Sequence, residues 1–148
     1  FSKGRKMKFD LANKLDVKRG LSPVAAGTDN PPLVSQILDM QGLLGACFVI
    51  LVGANTDADA TFTVLMEESD NSNMASQTAV ADADLNGTEA LAGFQFDDDN
   101  EVRKIGYHGV KRYVRVTITP ANNAAGNIFV AGVWITDPEN KPAPNPPT

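Results

Sequence analysis

The chain has 148 residues, 43% of them hydrophobic and 21% charged, with a formal net charge of −5 and a single cysteine. That length holds one domain with a real core, and the composition is too apolar for a disordered chain. One cysteine excludes an internal disulfide framework and a cysteine-based zinc cluster. No apolar span approaches the ~18 residues of a membrane helix, so no transmembrane helix is expected.

Residues 1–32 read as a basic extended arm. Lys3, Arg5, Lys6, Lys8, Lys14, Lys18 and Arg19 face only Asp10 and Asp16 within residues 1–20, a net of +5 that leaves −10 on the rest. The apolar residues Phe9, Leu11, Leu15, Val17 and Leu21 are irregularly spaced, and Ser22-Pro23, Gly27 and Asn30-Pro31-Pro32 interrupt regular structure. Such an arm can lie along its own domain or along a neighbour. An acidic body repels nucleic acid, so a protein partner is expected for the arm. Its expected anchors are Phe9, Leu11 and Leu15, with Lys8, Lys14, Lys18 and Arg19 steering.

Residues 33–136 read as the folded domain. Leu33 to Met40 mixes alternation with Ile37 and suggests a strand, with a short helix as the alternative. Leu43 to Val52 is a short β-branched and aromatic run, which predicts a strand buried on both faces. Phe62, Val64 and Met66 alternate with Thr61, Thr63, Leu65 and Glu67, so the segments on either side of Asn55–Asp59 are expected to form a hairpin. Asp70-Asn71-Ser72-Asn73 and Asn86-Gly87 are turn signals. Val102 and Ile105 mark a strand predicted to pair with the next one.

That next strand gives the clearest signal. Tyr113, Arg115, Thr117 and Thr119 fall on one face, and Val114, Val116 and Ile118 on the other, with Pro120 as the expected stop. Arg115 suits cross-strand pairing with an acid. After the turn at 121–126, residues 127–136 place Ile128, Val130, Gly132 and Trp134 opposite Phe129, Ala131, Val133 and Ile135. Residues 137–148 form a proline-rich tail, polyproline-like or disordered. Roughly seven to nine strands, about ten residues apart, predict an all-β antiparallel sandwich of jelly-roll or immunoglobulin-like type.

No residue pattern carries catalysis. His108 is the only histidine, and no G-x-S-x-G motif exists for it to serve. Asp97-Asp98-Asp99 with Glu101 lacks a calcium-loop pattern and reads as a solvated acidic loop. No phosphate-binding or dinucleotide fingerprint occurs, so no cofactor and no metal are expected.

Two blocks together carry a resemblance. Thr61-Phe62-Thr63-Val64-Leu65-Met66-Glu67-Glu68-Ser69-Asp70 is a strand entering an acidic turn. Some forty residues on comes Ile105-Gly106-Tyr107-His108-Gly109-Val110-Lys111-Arg112-Tyr113-Val114-Arg115-Val116. The combination resembles capsid cement (decoration) proteins of tailed phages, of the short-tailed Bordetella phage kind, over residues 43–136. The resemblance implies a jelly-roll fold and a non-enzymatic virion protein on the outer capsid surface, made in the bacterial host cytoplasm. It implies the major capsid protein as partner; self-association is expected as a dimer or trimer, a homodimer ahead of a trimer, and neither nucleic acid nor membrane is expected as a partner. The competing expectation is a carbohydrate- or receptor-binding β-sandwich of a virion.

Overall fold

A computed structural model describes residues 10–147 of the chain. In chain order its strands are β1 (Asp16–Leu21), β2 (Gly27–Thr28), β3 (Leu33–Val34), β4 (Leu38–Asp39), β5 (Leu43–Asn55) and β6 (Thr61–Ser69). They continue with β7 (Thr78–Ala79), β8 (Leu85–Asn86), β9 (Phe94–Gln95), β10 (Val102–Tyr107), β11 (Tyr113–Ala121) and β12 (Asn127–Pro138). One helical turn, α1 (Glu89–Ala92), starts at Thr88, whose hydroxyl accepts the Leu91 N–H at 3.1 Å.

The strands form two antiparallel sheets stacked as a sandwich, as the alternation predicts. The first sheet runs β1-β12-β5-β10-β8, with β2 also on β12. The second runs β3-β11-β6-β7, with β4 on β11 and β9 on β6. Period-two alternation sends Phe48, Ile50, Val52 and Trp134 inward from the first sheet to meet Phe62, Val64, Met66, Val116 and Ile118 from the second.

The pairings differ from those expected. The hairpin across Asn55–Asp59 does not form: β5 pairs with β12 and β10, while β6 crosses to the second sheet and pairs with β11. Likewise β10 pairs with β5 and β8 rather than with β11. Each of these connections crosses from sheet to sheet, and local alternation carries no information about that choice. Leu33–Met40 is not one strand but two short ones, because Ser35 and Gln36 turn aside to bridge the sheets. The Ser35 N–H donates to Val116 O at 2.8 Å, and the Gln36 N–H donates to Gly20 O at 2.8 Å. Pro120 does not stop β11; it sits buried inside the strand, opposite Phe62.

The segment from 16 to 21, placed in the arm by its irregular spacing, is an edge strand of the first sheet, in register with β12 from Asp16↔Thr136 to Arg19↔Val133. The proline-rich tail also packs. Ala143 is buried, and its N–H donates to Asn13 O at 2.7 Å.

Phe48 sets how β1, β12 and β5 fit together in the first sheet. Its ring meets Trp134 edge-on, with centroids 4.8 Å apart at 67°. The rest of the ring lies over Gly20 and Gly132, where an added Cβ would come closer than 3.0 Å to ring carbons. Gly132→Ala is therefore expected to destabilise by about 1–3 kcal/mol in urea unfolding through overpacking, and Phe48→Leu in the same chain should recover part of that loss. Additive losses in the double variant would show that the ring and the glycine do not interact.

Candidate docking face

Two places gather side chains beyond the core. One is the corner where the two resemblance blocks meet. The Tyr107 hydroxyl, on a ring 1% exposed, donates to Glu68 Oε2 at 2.6 Å and accepts the Lys111 N–H at 3.0 Å. Tyr107 belongs to the first sheet and Glu68 to the second, so this bond ties the sheets at one end. Around it Lys111 pairs with Asp70 at 2.6 Å, and Arg112 grips Asp39 through Nε and Nη2, both at 3.0 Å. Arg115 meets Glu67 at 3.1 Å as its register partner, the cross-strand acid pairing its sequence position suggests. Each of these cations is matched by an acid, so the corner is structural.

The second place is the outer face of the first sheet. In an antiparallel sandwich the outward positions are ordinarily polar. Here the register lines up Arg19, Val133, Val49 and Lys104 as one row across β1, β12, β5 and β10. Val17, Ile135 and Cys47 form the adjoining row, and Ala131, Leu51 and Val102 the row beyond. Leu51 is 54% exposed, Val102 58% and Phe129 48%. The correction to the reading of Leu43–Val52 is plain: only the inner face of β5 is buried, and its outer face is open. The three rows carry two charged side chains, both cationic. Burial among these apolar neighbours pushes the Cys47 thiol up, against the opposing pull of Lys104.

The second sheet is the opposite. Its outward positions are mainly polar, with Arg115, Glu67, Thr117, Thr119 and Thr63, and its apolar members are Leu65 and Val34 on either side of Thr117, with Tyr113 nearby.

The expected partner-binding residues divide between these regions. Lys8 and Phe9 lie outside the described residues. Leu11 and Leu15 line a groove of about 510 Å³ with Val17, Ile135, Pro144 and Pro147, which continues the apolar face past its Val17 row. Arg19 stands on the face itself. Lys18 turns to the inner side of β1 and pairs with Asp16 at 3.2 Å, and Lys14 borders a separate groove with Asp137 and Glu139. The sequence reading missed Val49, Leu51, Val102, Lys104 and Val133. β5 and β12 are apolar at both parities, but in the run Leu43–Val52 that pattern predicts burial on both faces rather than an open one.

The acidic loop is engaged internally. Asp98 accepts the Gln95 N–H at 2.8 Å and meets Arg103 at 3.4 Å, while Asp99 accepts the Asn55 N–H at 3.0 Å. Among the described residues no group of three His, Cys, Asp or Glu side chains could hold a metal ion. His108 is exposed in a turn, its N–H donating to Asp84 O at 3.0 Å.

Desolvation, and then the Glu68 hydrogen bond, raise the Tyr107 pKa well above the ordinary phenol value. The raised folded-state value means stability is whole below the unfolded pKa of about 10 and falls as pH rises past it. Tyr107→Phe should cost about 1–3 kcal/mol at pH 7 by leaving the half-buried Glu68 carboxylate and Lys111 N–H without this partner, and should flatten the stability loss above pH 10. An unchanged alkaline profile in urea titrations of the variant would contradict this assignment.

No protein-family model matches the chain, and no curated protein matches it. Among solved structures it is similar to the exported protein XepA of PBSX, at a TM-score of 0.51 and 16% identity. The match covers 90% of this chain but 40% of that protein, so this chain spans less than half its length. That likeness is one of fold.

Proposed function

We propose that this chain is a non-enzymatic virion protein that binds the outer surface of an icosahedral phage capsid and stabilises it by bridging capsid subunits. The observation that carries the reading is the one-sidedness of the sandwich. One sheet presents threonines and closed ion pairs around Leu65 and Val34, and the other a wider apolar face whose three central rows carry only cations. A protein that coats a shell needs such a division, with one surface that adheres and one that stays soluble. Three further points support it: the two sequence blocks resembling cement proteins, a fold shared with a protein of the phage PBSX, and a groove at Leu11 and Leu15 that extends the adhesive side. Symmetry multiplies modest contacts, so no single tight site is required.

A sugar-binding role is less well supplied. The one tryptophan is 1% exposed and Tyr107 is buried, so neither can stack on a glycan, and the accessible rings, Phe96, Phe129 and Tyr113, lie on different parts of the surface.

Co-sedimentation with mature, empty phage heads tests the proposal. Saturable binding, together with a higher temperature of head disruption, is the expected result. Absence of binding alongside a positive glycan-array signal would replace it with the receptor-binding reading.

A further inference from the structure

The outer face of the first sheet has a size, a charge and a register that together limit what can cover it. Four strands about 4.8 Å apart, with three rows about 6.8 Å apart, span roughly 400 Å². A stable interface needs about 800 Å² per partner, so any partner must reach past these rows. Charge argues against a second copy. Arg19 and Lys104 stand at opposite ends of the row that runs through Val133 and Val49. A two-fold axis through the middle of that row sets Arg19 of each copy against Lys104 of the other. Like charges facing each other at an interface are destabilising.

We propose that this face docks a different protein, whose matching surface is apolar at its centre and edged by carboxylates. The apolar rows supply the adhesion, and the two cations set register and orientation on an acidic rim. The net charge of −5 repels other acidic surfaces, copies of itself included, so the two cations favour only a partner that brings carboxylates into contact with them. Past Val17 the contact continues into the groove at Leu11 and Leu15. Beyond β10 it continues into a hollow of about 610 Å³ that Leu91 walls beside Val102. These extensions bring the area toward that of a standard interface. The inference rests on the reading above only for the partner's identity as a capsid protein.

The test uses the full chain and three variants: Leu51→Glu, the pair Arg19→Glu with Lys104→Glu, and Thr117→Glu as a control on the opposite sheet. Head co-sedimentation should weaken at least tenfold for the first two and stay within twofold for the control. Alkylation of Cys47 by a maleimide should slow at least fivefold when the protein is bound to heads. Equal binding by all three variants, or unslowed alkylation on heads, would overturn the proposal.

If the wild-type chain does not bind heads, the capsid reading fails, and the face is judged on a mixed alkyl–carboxylate resin at pH 7. Retention lost in Leu51→Glu and in the double charge reversal, but kept in Thr117→Glu, would uphold the docking chemistry. Unchanged retention across all three would refute it. Sedimentation equilibrium supplies one more refuting outcome, a dimer that Leu51→Glu dissociates, because the occupant would then be a second copy.

Discussion

The placement of Phe48 constrains the first sheet more than any other contact. Its ring needs the space that Gly20 on β1 and Gly132 on β12 leave, and it needs Trp134 beside it. That requirement pins β1 to β12 and β12 to β5 in one register, because a slip of one residue would put a side chain where the ring lies. The outer rows follow from the same register. With Phe48 inward, Cys47, Val49 and Leu51 are outward, and their partners Ile135, Val133 and Ala131 are fixed beside them. The packing that builds the core therefore also composes the docking face.

Much of this was legible in the sequence, and the failures have physical causes. The faces of β11 and β12 were readable residue by residue, since Val114, Val116 and Ile118, like Ile128, Val130 and Trp134, obey strict alternation. Pairing was not readable. Alternation says which way a side chain points, while the choice between a hairpin and a crossing to the opposite sheet depends on distant strands. β1 escaped notice because its inward positions are Asp16, Lys18 and Gly20. An ion pair at a sheet edge and a glycine under a ring leave no apolar period to detect. Ser35 and Gln36 broke an apparent strand for a similar reason, their hydrogen bonds being made to strands from both sheets.

The reading of β5 is the most instructive. A strand apolar on both faces has two physical explanations, burial within its own chain or burial by a partner, and composition is the same for both. The structure separates them, because Leu51 and Val102 remain open while Ile50 and Phe48 are enclosed. Two of the described basic residues near the start of the chain divide in the same way. Lys18 is occupied with Asp16 on the inner side of its strand, whereas Arg19, one residue on, stands with Lys104 at the border of the apolar rows.

Imaging decorated heads at side-chain resolution tests the central claim most directly, that the sandwich is one-sided and adheres through its first sheet. The account predicts density in which Val49, Leu51 and Val133 contact the shell, Arg19 and Lys104 meet carboxylates, and Thr63, Thr117 and Thr119 face solvent. Density with the threonine face against the shell, or with the apolar rows open to solvent on a bound molecule, would contradict it.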